Sequence, residues 1–335
     1  MIVSVGALYR SETLRMRRFL LGGGALAAAA ILALAWQAHG GGKAVAARTL
    51  TEGEVRDRDI AFYEERVLRD PEGSIDLAQL AGLYLQRARE TANRQDVLRA
   101  EQSARKSLAA SAHRNGKARH VLASSLLAQH RFVEGRFEAQ ALVQAEPEVA
   151  GYRALLGELQ IETGDRDAAR ATFESLERTL QEDPAAPHDV AIAARLARWY
   201  EVSGRTDDAI QLLRTALAEA RTQRNLPSEQ VAWFHLRIGD LLSRSGSFEA
   251  ARRSYSTGLE LRPGDHRLLA SLARLSFAEH RWKEAIDFAE RSARIDPQPA
   301  TLTVIANSWE ALGDLPRAEA ARARLISTAG AEYRR

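Results

Sequence analysis

The chain contains no cysteine, and proline accounts for only nine of its 335 residues. Without cysteine it can form no disulfide, thiolate metal site or cysteine nucleophile. Aromatic residues are also few, at 6%, whereas long stretches are rich in alanine, leucine, arginine and glutamate. These residue types favour helix. The 45% hydrophobic and 27% charged residues are ordinary for a folded chain and exclude a disordered one.

An excess of one charge is missing from most of the sequence. The formal net charge is +3, but residues 1–56 hold seven basic and three acidic side chains, which leaves 40 basic and 41 acidic side chains in residues 57–335. A nucleic-acid-binding protein needs a broad basic surface. We therefore predict no nucleic-acid partner.

Motifs for catalysis and metal binding are also absent from the sequence. None of the eight histidines has a second histidine at a metal-binding spacing, and neither HExxH nor GxSxG occurs. Neighbouring carboxylates such as Glu64 with Glu65, or Asp207 with Asp208, fit a solvated helix surface better than a catalytic pair. We therefore predict a non-catalytic protein with no catalytic residue, no metal and no cofactor.

One long segment, residues 19–38, carries no charge. As a helix it would extend about 30 Å, the thickness of the apolar core of a bilayer. Arg15, Arg17 and Arg18 precede the segment, and Trp36 lies near its end. Because basic flanks stay in the cytoplasm, the pattern predicts a single-pass anchor in the cytoplasmic membrane. Its N-terminus would then lie inside and the following domain in the periplasm or otherwise outside the cytoplasm.

Two other interpretations of this segment remain open. Translation from Met16 would give a cleavable signal peptide, with small residues near Ala33–Ala35 or Val45–Ala47. A buried core helix is the third interpretation, and the basic flank and glycine-rich exit argue against it. The anchor interpretation divides the chain into a basic cytoplasmic flank, an anchor, a flexible tether and one folded domain, with the bounds 1–18, 19–38, 39–56 and 57–335.

Internal repeats organise the folded domain. The stretches GSFEAARRSYSTGLELRPGD (246–265) and HRWKEAIDFAERSARIDPQP (280–299) share few identities, yet Pro263 and Pro297 are 34 residues apart. Aligned on these prolines, Ala273 falls where Gly239 falls. Each unit is predicted to form two amphipathic helices joined by a tight turn, because one hairpin cannot bury its own apolar face and must stack on its neighbours.

The repeated unit resembles the tetratricopeptide repeat, and the chain resembles bacterial membrane-anchored or exported proteins of that family. Residues 232–265 match its pattern best, through Gly239, Gly246, Ala251, Tyr255 and Pro263. Further matching units lie at 74–110, 116–147, 150–183, 190–221 and 299–328, and a leading helix is expected at 57–70. The resemblance implies an all-α, right-handed solenoid of about six to seven helical hairpins.

In this family the first helices of the hairpins line a binding groove. Carried over to this sequence, the resemblance makes six residues candidates for binding a partner through arginine and aromatic side chains, a frequent composition of binding hot spots. An acidic or carboxylate-ended peptide would suit them. The alternative is that the arginines are solvated or paired with Glu201 and Asp240. The six candidates are Arg198, Trp233, Arg244, Arg267, Arg274 and Phe277.

The resulting functional prediction is a non-catalytic scaffold for protein–protein interaction. It would be anchored in the cytoplasmic membrane, display its repeat domain outside the cytoplasm, and organise or stabilise a partner protein or a membrane complex. A signal-cleaved, soluble periplasmic or secreted module that binds a peptide or glycan is the alternative. An enzyme with an unrecognised site is the least favoured interpretation.

Overall fold

A computed structural model of the chain describes residues 50–182, 190–222 and 227–332. All regular secondary structure in these ranges is helical, and it comprises fifteen α-helices. The anchor predicted at 19–38 lies outside the described residues. Within the described ranges, no helix combines the length and the apolar character needed to cross a membrane.

In the part of the chain that the structure describes, a leading helix, α1 (Glu52–Arg69), precedes seven helical hairpins. The hairpins confirm the predicted all-α solenoid of tetratricopeptide-like units. Helix α1 begins five residues before the predicted start at 57, so the last part of the predicted tether is helical. In chain order, the hairpins pair α2 (Ser74–Thr91) with α3 (Arg94–Ala110), α4 (Gly116–Ala128) with α5 (Phe132–Ala145), α6 (Ala150–Glu162) with α7 (Arg166–Glu182), α8 (Val190–Val202) with α9 (Thr206–Ala220), α10 (Ser228–Arg244) with α11 (Phe248–Leu261), α12 (His266–Ala278) with α13 (Trp282–Ala293), and α14 (Pro299–Ala311) with α15 (Leu315–Glu332).

A residue in the left-handed backbone region separates the two helices of every hairpin. In the fifth hairpin it is Gly246, at φ 78°, and the next amide, of Ser247, donates to the carbonyl of Leu242 at 2.8 Å. This closes the end of α10 as a Schellman motif does. His280 takes the same conformation in the sixth hairpin, at φ 61°. The geometry is therefore kept where glycine is replaced, at some cost in backbone strain.

Close packing between the two helices of a hairpin explains the small residues in the repeat. A Cβ atom added to Gly239 would lie 2.4 Å from the ring of Tyr255, and one added to Gly157 would lie 2.6 Å from the ring of Phe173. No side chain fits at either position unless the helices move apart. The glycines therefore let an aromatic ring of the second helix rest directly on the backbone of the first.

Neighbouring hairpins share one apolar core. A single cluster of buried side chains runs from Ala197 in the fourth hairpin, through Phe234 in the fifth, to Leu268 in the sixth. Other clusters join α1 to the first two hairpins and the sixth hairpin to the seventh. Stacking thus buries the face that each hairpin alone would leave exposed.

Polar contacts between described residues link the N-terminal part of this array to the fifth hairpin, among them the following two. The carboxylate of Glu52, in α1, accepts from the backbone amide and the hydroxyl of Ser228, at 3.1 and 2.7 Å. Ser228 begins α10 after Pro227, so a distant carboxylate satisfies a helix N-terminus that its own preceding residue cannot cap. In the second contact, Glu90 lies 4.0 Å from the guanidinium of Arg262.

Candidate functional site

The first helices of successive hairpins lie beside one another and form a common surface, which we call the first-helix face (α2, α4, α6, α8, α10, α12 and α14). Ion pairs cross from helix to helix along it. Arg195 on α8 pairs with Glu158 on α6 at 2.8 Å. Arg237 on α10 pairs with Glu201 on α8 at 3.1 Å. Each pair joins neighbouring first helices, so together the pairs form a row of charges from α6 to α10.

Glu201 is the centre of this row of charges. It contacts Arg198 at 3.1 Å, Arg237 at 3.1 Å, and also Arg244. Burial by itself would raise the pKa of Glu201, but the hydrogen bond from Arg198 and the positive charges of the other two arginines outweigh it and hold the pKa below its usual value. The carboxylate is therefore ionised at neutral pH while three guanidinium groups share it.

A cleft of ~270 Å³ opens beside this row, between α10, α11 and α12. Asp240 accepts a hydrogen bond from the Tyr255 hydroxyl at 2.9 Å and a longer one from Ser271 at 3.4 Å. Arg274 donates to the Ser271 hydroxyl at 2.9 Å. The walls of the cleft combine apolar atoms with polar groups, among them two guanidinium groups; its lining comprises Asp240, Ser243, Arg244, Tyr255, Ser271, Arg274, Leu275 and Ala278.

Tyr255 forms the inner wall of the cleft and remains protonated. Burial raises the pKa of its hydroxyl, and the neighbouring negative charge of Asp240 raises it further. The hydroxyl proton therefore stays available for donation to Asp240 throughout the physiological range. The same ring packs against Gly239, so one residue both fills the hairpin and orients a carboxylate of the cleft.

Of the six predicted residues, Arg244 and Arg274 line the cleft, and the other four are not among its lining residues. Arg198 pairs with Glu201 on its own helix. Arg267 lies at the start of α12, where it pairs with Asp265 and Glu229 at 2.7 and 2.9 Å.

The two aromatic candidates make ring contacts in the structure. Trp233 is half-buried against the core and meets the edge of Phe234 at 5.5 Å, and Phe277 meets Trp282 at 5.1 Å. The suggested pairing of arginines with Glu201 is present for Arg198 and Arg244. A binding role for the six residues stays a prediction.

The sequence reasoning overlooked the hydroxyl groups of the cleft. Ser271 lies three residues before Arg274, a spacing that places both side chains on one face of a helix. Ser243 lies three residues after Asp240 on α10 by the same rule. Tyr255 was assigned to packing alone. The helical spacing of polar residues was the available signal, but serine is too common on helices for it to stand out.

Among the described residues, no group of three or more histidine, aspartate or glutamate side chains is placed to hold a metal ion. The predicted absence of a catalytic site and of a cofactor stays a prediction.

Comparison with known families identifies the repeat. Residues 191–227 and residues 236–299 each match a family model described as "Tetratricopeptide repeat". Together with seven stacked helical hairpins, these matches define the class: an α-solenoid built from such repeats. The chain is a tetratricopeptide repeat protein.

Solved structures share this fold at low sequence identity. One is a chain of the crystal structure of the APC/C hetero-tetramer Cut9-Hcn1, with a TM-score of 0.57, 15% identity and an alignment covering 76% of this chain and 46% of that one. This chain therefore spans about half the length of that relative. Another is PilW, described as a widely conserved type IV pilus biogenesis factor, with a TM-score of 0.52, 16% identity and coverage of 64% and 94%. No curated protein matches the sequence.

Proposed function

We propose that the chain is a non-catalytic scaffold that binds a protein segment along its first-helix face. The proposal rests on one observation. The consecutive first helices α8, α10 and α12 together carry shared ion pairs, most of the lining of the cleft, and the half-buried Trp233. Arginine beside a partly buried aromatic ring is a frequent composition of interface hot spots. The likeness to a subunit of the Cut9-Hcn1 assembly and to PilW supports the fold on which the proposal rests.

Site-specific photo-cross-linking tests this function. A photoreactive amino acid at position 244, on the first-helix face, is compared with one at position 253, an exposed arginine of α11. The full chain is expressed in its native host and irradiated. We expect discrete cross-linked partner bands from position 244 and none, or far weaker ones, from position 253.

Two results would contradict the proposal. Equal bands from the two positions would mean that contact is not selective for the first-helix face. Absence of bands from position 244, together with bands from position 253, would move the interface to the second helices.

The location of the scaffold forms a further part of the proposal. We infer that residues 19–38 anchor it in the cytoplasmic membrane, with the repeat domain outside the cytoplasm, where it organises or stabilises a membrane protein complex. The supporting observation is an uncharged 20-residue segment preceded by three arginines. The signal-cleaved soluble module is the competing function, because the same segment also has the features of a signal peptide.

N-terminal sequencing of the mature protein separates the two. Retention of residues 1–38, with protease access to the repeat domain from outside the cytoplasmic membrane, supports the anchor. A mature N-terminus between Ala35 and Arg48 supports the cleaved module and rejects the anchor. Protection of the repeat domain in spheroplasts, whose outer membrane has been opened, rejects the proposed location in both forms.

A further inference from the structure

The contacts between the first and fifth hairpins join opposite edges of the array. Arg56, near the start of α1, pairs with Glu90, near the end of α2. Arg66, near the end of α1, pairs with Asp76, near the start of α2, at 2.9 Å. Helix α1 therefore runs antiparallel to α2. Its first turn lies at the edge of the array that carries the turn within each hairpin, which we call the turn edge.

The fifth hairpin takes part through its other edge, which we call the open edge. Ser228 is the first residue of α10 and Arg262 directly follows α11, so both lie at the opposite end of the hairpin from the turn at Gly246. The 17 residues of α10 separate the two edges by about 25 Å. In a straight stack the open edge of one hairpin cannot meet the turn edge of another. The array therefore winds round on itself within five hairpins.

The first-helix face lies on the inner side of this winding. The backbones of neighbouring first helices approach each other closely, as α2 and α4 do and α6 and α8 do, whereas no neighbouring second helices of the described residues approach to a comparable extent. Lys117 on α4 also donates to the side chain of Gln79 on α2. Because elements on the inside of a curved stack are the closer ones, the winding encloses the first-helix face of the second, third and fourth hairpins.

The contacts that complete this enclosure are polar. The apolar cluster of α1 and the first two hairpins is separate from that of the fourth to sixth hairpins. Glu52 accepts from Ser228, and Glu90 lies 4.0 Å from Arg262. Such contacts contribute little net stability because water competes for the same groups. They can therefore separate without exposing apolar surface, while Arg56 and Glu90, 7% and 5% exposed, stay paired on the side of the first hairpin.

We propose that Glu52, Glu90, Ser228 and Arg262 form a clasp that controls access to the enclosed first-helix face. In the closed form, which is that of the structure, the two edges meet and keep large molecules from entering between them. In the open form a large molecule enters there. This inference goes beyond the proposed scaffold function, because closure is a property of the array itself and is measured without a partner.

Size-dependent labelling of single introduced cysteines tests the clasp, since the chain has no cysteine of its own. Ser124→Cys places the inner thiol on α4, seven residues after Lys117 and so on the same face, and Ala171→Cys places the outer thiol on the exposed side of α7. Each full chain, in detergent, reacts with N-ethylmaleimide and with a long polyethylene glycol maleimide. The measured quantity is the labelling ratio, the rate of the large reagent divided by that of the small one. Because a minor open state is populated to about 10% or less, the labelling ratio of the inner thiol should be about tenfold or more below that of the outer thiol.

Opening the clasp should raise the labelling ratio of the inner thiol. Glu52→Ala combined with Arg262→Gln removes groups from both edges and should bring this ratio close to that of the outer thiol. Glu65→Ala combined with Arg69→Gln is the matched control, because it removes an exposed ion pair of α1 outside the clasp. The control should leave both ratios unchanged. Circular dichroism melting of each variant checks folding.

A second measurement does not depend on weakening the clasp. A short bismaleimide should join Glu52→Cys to Ser228→Cys within one chain, because the two side chains are in contact at 2.7 Å. It should not join Glu65→Cys to Ser228→Cys. Mass spectrometry of the digested protein identifies the link. This measurement decides the question if the variant with the opened clasp unfolds.

Three results would overturn the inference: equal labelling ratios of the two thiols in the closed chain, the same ratio of the inner thiol in the clasp variant and in the control, or no link between positions 52 and 228. Photo-cross-linking at position 244 separates this failure from that of the scaffold function. Partner bands together with any of these results leave the scaffold in place and reject the clasp. Size-dependent labelling without partner bands supports the clasp and rejects the scaffold.

Discussion

The fifth and sixth hairpins fill the space between their two helices with side chains of different sizes. In the fifth, Gly239 on α10 faces the large ring of Tyr255 on α11. In the sixth, the residues at the aligned positions are Ala273 and Ala289, and both are fully buried. The small residue of each first helix precedes its counterpart by the same sixteen positions. The volume between the two helices is therefore divided differently while the hairpin geometry is retained.

The third and second hairpins show the same contrast. Gly157 faces Phe173 in the third, whereas Ala123 and Ala139 occupy the aligned positions of the second and are fully buried. In these four hairpins, glycine on the first helix accompanies an aromatic ring on the second, and alanine accompanies alanine. The fourth hairpin departs from this, because Leu213 takes the aligned place opposite Ala197.

The largest effect is expected when the ring of the fifth hairpin is removed. Tyr255→Ala should destabilise the domain by about 3–5 kcal/mol, because it leaves a cavity beside Gly239 and removes the hydrogen bond to Asp240. Ala289→Gly, the matched change in the sixth hairpin, should cost only about 1 kcal/mol through helix propensity. Urea unfolding of both variants provides the measurement. Similar costs would show that the two hairpins do not differ in how they are filled.

Overpacking the glycine should cost less. Gly239→Leu is expected to destabilise by about 1–3 kcal/mol, since its side chain would meet the Tyr255 ring and force α10 and α11 apart. Gly246→Leu, in the turn of the same hairpin, separates backbone strain from overpacking. Space is open at this position, so any loss of stability there comes from the positive φ of the backbone. Thermal melting followed by circular dichroism checks both. An unchanged transition for Gly239→Leu would contradict the close contact.

The effect of one added methyl group at position 239 on the free energy of unfolding should change sign when Tyr255 is replaced by alanine. Gly239→Ala should destabilise the parent, because the new Cβ would lie 2.4 Å from the Tyr255 ring. In the Tyr255→Ala background it should stabilise by about 1 kcal/mol, because alanine is the better helix former and the space is free. A double-mutant cycle from urea unfolding measures the coupling. Additive effects would mean that the two residues do not share the space.

A histidine distinguishes the same two hairpins by their response to pH. His235 is buried in α10, and Leu269 takes the aligned place in α12. Burial, together with the positive charge of Arg221, lowers the pKa of His235 to about 4. The unfolded chain, with a histidine pKa of about 6.5, binds this proton more readily. The contribution of His235 to stability is therefore complete above pH 6.5, falls between pH 6.5 and 4, and is constant below.

His235→Leu, which copies the sixth hairpin, should reduce the loss of stability between pH 6.5 and 4. The measurement is the difference in unfolding free energy between parent and variant across this range, so that carboxylates and His266 cancel. Parallel pH profiles for the two proteins would show that His235 titrates as it does in the unfolded chain.

The smallest effect is expected at the surface of the sixth hairpin. Arg291→Gln breaks a partly exposed pair with Asp287, four residues earlier on α13, at 3.4 Å. Such pairs contribute about 0.3–0.5 kcal/mol. The variant should melt slightly below the parent at low salt, and the difference should vanish in high salt because the pair is screened. A cost above about 1 kcal/mol would indicate a structural role that its geometry does not show.

The fold was accessible from the sequence because the packing pattern recurs along the chain, with a spacing of 34 residues between the turns of the fifth and sixth hairpins, at Gly246 and His280. Gly239, Ala251 and Pro263 mark a close contact, a buried position and a helix end, and each follows from one hairpin alone. The start of α1 was placed too late, although Glu52 and Glu54 give its first turn the negative charge that helix N-termini favour.

The cleft was not accessible in this way, because it depends on which charges meet. Arg267 and Arg274 have the same chemistry and lie on the same helix, seven residues apart. Arg267 donates to the capping carboxylate of Asp265, whereas Arg274 donates to the hydroxyl of Ser271. Such choices depend on side-chain directions across three helices, and spacing along one helix does not contain them.

The contacts of Glu52 with Ser228 and of Glu90 with Arg262 have a consequence for how the array comes apart. In a linear array of repeats, each end has a single neighbour and frays first. Here the leading helix and the first hairpin also bond to the fifth hairpin. Because of these contacts, local opening at the N-terminal end must also break the hydrogen bonds between Glu52 and the start of α10. Among the described residues, the last hairpin packs on the sixth hairpin, so amide exchange is expected to advance inward from α15.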